Sequence, residues 1–308
     1  MRLSFLPTLP PRFAIGIVMA ICFSGCAVPS MTEPVARSIV ANKSPSLRSW
    51  KEQSPAALRQ MSACYEQTAL LIGGWTEFSA QRDGLKMRSI SPASWSSAVP
   101  IREDGYFLTS AHCVDVPRPL KIVAATSNRG VAVADVRVVW RGRNRLGRAD
   151  LALIHAPIRP AFRFTLQKAD SLPPHSPVAS GGWGGMEARS FEAPSRAISA
   201  GRLLKVTAPR RDPTGCPYRI LKHDVPFVSG DSGGPLVSPD GLIGISSRVF
   251  LGPGFLLHFT RYAIGLKPST IAGYQAIAFA PDPAWLETTI VQDRAQQLAG
   301  ARPKPAGG

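Results

Sequence analysis

Short apolar runs cut by glycine and proline are the feature that most limits how this chain can fold. Its 308 residues include 27 glycines and 29 prolines. A strand needs only about four to eight residues between breakers, whereas a helix interior tolerates neither residue well. The chain therefore reads as an all-β protein with frequent turns. One set of strands is predicted at 68–72, 98–101, 107–109, 121–125, 131–139 and 151–154. A second set is predicted at 178–180, 197–206, 218–223, 235–237, 242–247 and 276–279. A chain of this length can bury a substantial core and form one or two domains.

The N-terminus stands apart from that pattern. Arg2 and Arg12 precede the apolar stretch Phe13–Phe23, which is too short to span a bilayer comfortably. Small residues follow, and residues 1–25 read as an export signal. The sequence Ser24-Gly25-Cys26 resembles a bacterial lipobox, which implies a lipid on Cys26 and a membrane-anchored lipoprotein. Ala27 in place of an aspartate then implies the outer membrane or cell envelope. Ordinary cleavage near Ala27, giving a periplasmic or secreted protein, and an uncleaved anchor are the alternatives. Residues 26–60 carry Ser, Pro, Lys and Arg without an apolar period and read as a tether. Residues 293–308 read as a flexible tail.

Chemistry concentrates at three places. Gly230-Asp231-Ser232-Gly233-Gly234-Pro235 sets one serine among small residues, where its hydroxyl stands clear and backbone N–H groups can face an oxyanion. His112 follows the β-prone segment Phe107–Thr109, and imidazole is the side chain best suited to move a proton near neutral pH. Asp150 opens the apolar run Leu151–Ile154, where a buried carboxylate can orient an imidazole. Alone, each has an ordinary explanation: a Gly-rich turn, a structural histidine, a turn aspartate. Together they occur in the order His, Asp, Ser. Asp115, Asp135 and Asp224 are the competing acids. Asp115 is too near His112 in sequence, Asp135 lies inside a strand, and Asp224 ends one.

At these residues the chain resembles the trypsin/chymotrypsin-like serine proteases, including bacterial, exported members. Ser180–Gly184 looks like the family's Gly-Trp-Gly turn. Gly244–Ser247 resembles its cleft-lining strand, and Trp285–Ile290 its C-terminal helix. Asp104–Thr109 resembles the lead into the histidine in bacterial relatives. Ser110 departs from the family's usual alanine. The resemblance implies two six-stranded antiparallel β-barrels, at 61–170 and 171–292, with the cleft between them. It implies Ser232 as nucleophile, His112 as base and Asp150 as orienter, with the N–H groups of Gly230 and Ser232 as oxyanion hole.

The resemblance implies that Pro226, Ser247 and Val249 fall at substrate-binding positions. Pro226 is no acid, so the resemblance implies small or medium apolar residues before the scissile bond rather than Lys or Arg. The stretch 251–272 would border the same pocket. Nothing resembles the Ile-Val-Gly-Gly start of an activated zymogen, so Asp231 needs another partner, such as an arginine. The expected function is an exported serine endopeptidase acting on a protein or peptide. A non-catalytic binding lipoprotein with this fold and an esterase with the same triad are the alternatives; no Gly-x-Ser-x-Gly elbow is present.

Export favours an oxidising compartment and a disulfide. Cys64, Cys113 and Cys216 allow three single pairings and leave one thiol spare. Their spacing suits no zinc site, and no metal or other cofactor is called for. The formal charge of +16 is densest at Arg137, Arg141, Arg143, Arg145 and Arg148. It can attract an acidic surface partner or simply mark a solvated basic loop. No nucleic-acid motif appears, and export argues against a genomic partner.

Overall fold

A computed structural model describes residues 64–300 apart from 65, 82–83, 90–93, 128–129, 144, 146–147, 184–196, 226, 228–229 and 251–274. The export signal, the lipobox cysteine Cys26, the tether, Pro226 and the 251–272 stretch therefore lie outside the described residues. Among the described residues, no helix is long and apolar enough to cross a membrane.

Strands β1 (Ala69–Gly73), β4 (Ser94–Pro100), β5 (Tyr106–Thr109), β6 (Leu120–Ala125), β7 (Val131–Asp135), β8 (Arg137–Arg141) and β9 (Ala152–His155) form the first sheet. Their order is β7-β6-β1-β4-β5-β9-β8, antiparallel throughout. The single strand predicted over 131–139 is two, because the chain leaves β6 at Val136 and continues along β9. The edges of the sheet are thus consecutive halves of one bent strand, which curls the sheet into a barrel-like form. A hairpin missed by the sequence reading, β2 (Thr76–Gln81) with β3 (Gly84–Ser89), stands apart from it.

The second sheet contains β10 (Pro177–Gly182), β11 (Ala197–Val206), β12 (Arg210–Arg211), β13 (Pro217–His223), β14 (Pro235–Ser238), β15 (Gly241–Phe250) and β16 (Gln275–Pro281). Pairing of β11 with β13 closes six of these strands into a ring. The protein thus has the all-β, two-barrel architecture expected of it, followed by a C-terminal helix.

Alternation of side chains along the strands divides the core into separate clusters. Phe107 and Ile154 point into the first barrel with Leu71 and Ile122. Leu236 and Ile243 point into the second with Val178 and Leu221. Their sequence neighbours Leu108, Leu153, Val237 and Leu242 point the other way and meet in a shared layer between the barrels.

Polar contacts stitch the same seam. The Ser97 hydroxyl on β4 donates to the Gly230 carbonyl (2.9 Å) and accepts from the Trp183 N–H (2.9 Å). The Ser97 N–H donates to the Ser232 carbonyl (2.8 Å). Trp183 leaves the end of β10 and buries fully among Leu70, Ile72 and Val123 of the first barrel, its indole N–H donating to the Thr68 carbonyl (2.9 Å). The Gly-Trp turn is therefore an inter-barrel plug.

Helix α2 (Pro283–Gly300) buries Leu286 and Ile290 in the shared layer and latches onto the first barrel. Asp282 caps it, accepting from the N–H groups of Ala284 (2.9 Å) and Trp285 (3.0 Å), with Pro283 at the first helical position, where its missing N–H costs nothing. The Asp293 carboxylate takes both terminal nitrogens of Arg137 (2.7 Å each) and the hydroxyl of Tyr106 (2.7 Å). These contacts correct the expectation of a loose tail from residue 293, since the helix continues to Gly300. The disulfide expectation is corrected too. Cys64, Cys113 and Cys216 are buried free thiols. Cys113 sits in the first-barrel core, while Cys64 and Cys216 lie in the shared layer.

Two outcomes follow from this packing. A Cβ on Gly233 (φ +83°) would lie 2.1 Å from the Ser97 carbonyl and 2.2 Å from the Thr109 hydroxyl. Gly233→Ala is expected to destabilise the fold by about 2–4 kcal/mol, read from urea denaturation. The hydrogen bonds from Arg137 hold the Asp293 carboxyl below the usual aspartate range, outweighing burial. Its contribution is full above the ordinary value near 4 and is lost as pH falls through the lower folded value. Asp293→Asn should cost about 1–2 kcal/mol at pH 7, since Arg137 is partly solvated, and the difference from wild type should shrink in acid.

Candidate active site

His112 lies on the one-turn helix α1 (Ala111–Val114) that follows β5. Ser110, just before it, is fully buried and donates its hydroxyl to the Ser246 carbonyl (3.0 Å). The hydroxyl that departs from the family's alanine thus ties the histidine turn to the second barrel. Asp150 precedes β9 and has no solvent exposure. Its Oδ1 accepts from the His112 backbone N–H (3.0 Å), and its Oδ2 accepts from His112 Nδ1 (2.8 Å). One carboxylate therefore fixes both the turn and the ring, with the proton on Nδ1 facing it.

Ser232 occupies the loop between β13 and β14. Gly230 (φ +95°) and Gly233 (φ +83°) shape that loop in backbone conformations that side chains resist. The Ser232 hydroxyl donates to the Ser247 carbonyl (3.3 Å), and no hydrogen bond joins it to His112 among the described residues. Asp231 is buried beside Gly182, where a Cβ would approach its Oδ1 to 2.8 Å.

Ser247 does more than line a strand. Its hydroxyl donates to Asp150 Oδ2 at 2.5 Å. Arg248, the next residue, places Nη2 3.5 Å from the same oxygen. Neighbours on a regular strand face opposite ways. Here the β15–β16 register slips between Ser246 and Arg248, so a bulge turns both side chains toward Asp150. The backbone of Val249 pairs with Ala276.

The electrostatics follow from these contacts. Burial alone would raise the Asp150 carboxyl, but the bonds from His112 and Ser247 and the charge of Arg248 bring it below the ordinary aspartate value. Burial opposes a charged His112 ring, yet Cys113 beside it and the Asp150 carboxylate more than offset this and hold its proton affinity well above the usual histidine value. The ring keeps about a third of its surface exposed (31%), so a proton can reach it.

The competing acids are engaged elsewhere. Asp115 pairs with Arg141 (2.6 Å), Asp135 with Lys121 (2.6 Å), and Asp224 accepts from the Arg202 N–H (2.5 Å). With Arg137 on Asp293, two of the five clustered arginines are thus paired within the protein. Among the described residues no group of His, Cys, Asp and Glu could hold a metal ion.

Sequence reasoning missed several supporting residues. Buried Asp212 accepts from the N–H of Ala149 (3.0 Å), fixing the backbone just before Asp150 from the second barrel. Its only signal was the turn-forming Asp212-Pro213-Thr214-Gly215. Ser97 gave no signal at all, because its partners lie in the other barrel.

Residues 96–245 match the model of a trypsin-like peptidase domain. No curated protein sequence matches the chain. Among solved structures, the chain is similar to the HtrA-type protease AlgW with decapeptide (17% identity, TM-score 0.49), covering 76% of this chain and 65% of that one. It thus spans just under two thirds of AlgW. It is also similar to the serine endoprotease from Yersinia pestis (16%, TM-score 0.46, covering 80% and 68%). A third is the Rv3671c protease from M. tuberculosis, active form (14%, TM-score 0.49, covering 86% and 95%). Residues 96–245, which run from β4 into β15 and contain His112, Asp150 and Ser232, thus carry a trypsin-like peptidase domain.

Proposed function

We propose that this protein is an exported serine endopeptidase that cuts peptide bonds through Ser232, His112 and Asp150. The observation that carries the reading is the fully buried Asp150 holding His112 by ring and backbone at 2.8 and 3.0 Å. Burying a carboxylate is costly, and binding an imidazole in one tautomer is a use that justifies it.

In this reading the Ser232 hydroxyl leaves the Ser247 carbonyl and passes its proton to Nε2 of His112 as its oxygen attacks the scissile carbonyl. The N–H groups of Gly230 and Ser232 receive the negative oxygen, each such donor being worth on the order of 3 kcal/mol. The imidazolium then protonates the leaving amine, and water releases the acyl group by the reverse sequence. Asp150 stabilises the charged ring throughout.

Small or medium apolar residues before the scissile bond are the proposed preference, supported by the absence of an acid at Pro226 and the branched Val249. The N-terminal sequence supports export and a lipid anchor at Cys26, and activity without zymogen cleavage. The basic surface around Arg143, Arg145 and Arg148 would favour an acidic neighbour at the cell envelope.

A fluorophosphonate should label the purified protein at Ser232 and leave Ser232→Ala unlabelled. Failure to label the wild type would point to a binding protein. Ester turnover without peptide cleavage would point to an esterase. A peptide-library profile dominated by Arg or Lys would refute the proposed preference.

The pH dependence carries a sign. His112 must be neutral to act, so kcat/KM should climb through a midpoint above the ordinary histidine value of 6.5. Asp150→Asn removes the charge that holds the proton on the ring. Its midpoint should move to lower pH, and its plateau should fall by about 10³–10⁴-fold.

A further inference from the structure

The contact of Arg248 with Asp150 is not needed for proton transfer, yet the structure is bent to make it. The bulge in β15 spends its irregularity on turning Ser247 and Arg248 to one side. Arg248 Nε lies 3.4 Å from the Ser247 hydroxyl, to which it donates, and its guanidinium carbon sits 5.6 Å over the ring of Phe279. These two contacts fix the head group with Nη2 at 3.5 Å from Asp150 Oδ2. That oxygen already accepts from His112 Nδ1 and from Ser247. Nη2 is buried and makes no hydrogen bond. The approach therefore acts as a charge and not as a hydrogen-bond donor.

We propose that Arg248 is a positioning residue that sets the working pH of His112, its fixed positive charge offsetting part of the Asp150 charge and so opposing protonation of the imidazole. The proposal rests on the reading of Ser232, His112 and Asp150 as the catalytic set. Asp150 alone would hold a proton on His112 more firmly than a general base at neutral pH can use, because the best base has an affinity matched to its surroundings. A cation a few ångströms beyond the carboxylate weakens that hold without disturbing the orientation.

Other charged groups surround the pair. Cys113 adjoins His112 on α1. Asp115, neutralised by Arg141, lies at the end of the same turn. Arg148 and the buried Asp212 flank Asp150, and Asp231 is buried in the nucleophile loop. Among these cations only Arg248 lies within 4.0 Å of Asp150.

The test measures the rate of fluorophosphonate labelling of Ser232 against pH in the full chain. Arg248→Gln and Arg248→Met both remove the charge, and the methionine keeps an unbranched stem against Phe279. Arg248→Lys keeps the charge. Folding of each variant is checked by thermal melting.

In both neutral variants the acid limb should move to higher pH. Labelling at pH 6, relative to each variant's own alkaline plateau, should fall about three- to tenfold. The lysine variant should recover most of that loss. A lower plateau with an unmoved limb would show that Arg248 only supports packing, and would overturn the proposal. A limb that moves to lower pH, or equal shifts in all three variants, would overturn it as well. Absence of wild-type labelling at every pH would instead sink the assignment of Ser232 as nucleophile.

Discussion

A carboxylate with no access to water governs the centre of this protein. Asp150 is fully buried, and its charge persists because several separate segments bring it partners. The α1 turn supplies a ring nitrogen and a backbone N–H, and the β15 bulge supplies a hydroxyl and a guanidinium. The loop before β13 holds the adjacent backbone through Asp212. Removing the ring nitrogen, the backbone N–H or the Ser247 hydroxyl would leave a buried acceptor short of partners, which costs far more than an exposed contact. The site is therefore also a structural joint, since the groups that satisfy Asp150 come from both barrels.

The seam around that joint depends on absent side chains as much as on present ones. The Ser232 loop approaches β4 so closely that Gly233 has no room for a methyl group against the Ser97 carbonyl, and Gly234 has none against the Gly181 carbonyl. Ser97 fits because its small hydroxyl meets one acceptor and one donor across the seam. Along the shared layer, Asp293 on α2 collects Arg137 and Tyr106, and Trp285 packs edge-on against Trp140 (4.7 Å). The barrels are thus fastened both by the buried Ser97 contacts and by the partly solvated Arg137–Asp293 pair.

Much of this was legible from the chain. Alternating apolar runs placed most strands within a few residues, because burial of one face imposes a two-residue period that survives in the sequence. Val136 was not legible as a bend, since 131–139 reads as one continuous strand, and the change of pairing partner is a tertiary event. The β2–β3 hairpin was missed because its residues, TEFSAQ and GLKMRS, mix polar and apolar types without a continuous apolar run. The free thiols ran against an expectation drawn from compartment alone, which says nothing of where sulfurs sit in a core. The tail expectation failed because Asp293 and Gln297 look like ordinary helix-surface residues until Arg137 and Tyr106 are brought to them.

The sequence by itself determined the all-β class, the turn-rich strand pattern and the order His112, Asp150, Ser232, because those depend on local periodicity and on residue types adjacent in the chain. Only the tertiary structure decided that Asp150 has no exposure, that Ser97 spans the seam, and that Ser247 and Arg248 face the same oxygen. A bulge changes which way two neighbouring side chains point through the pairing of a distant strand. Nothing in the residues Ser246-Ser247-Arg248 alone encodes that slip.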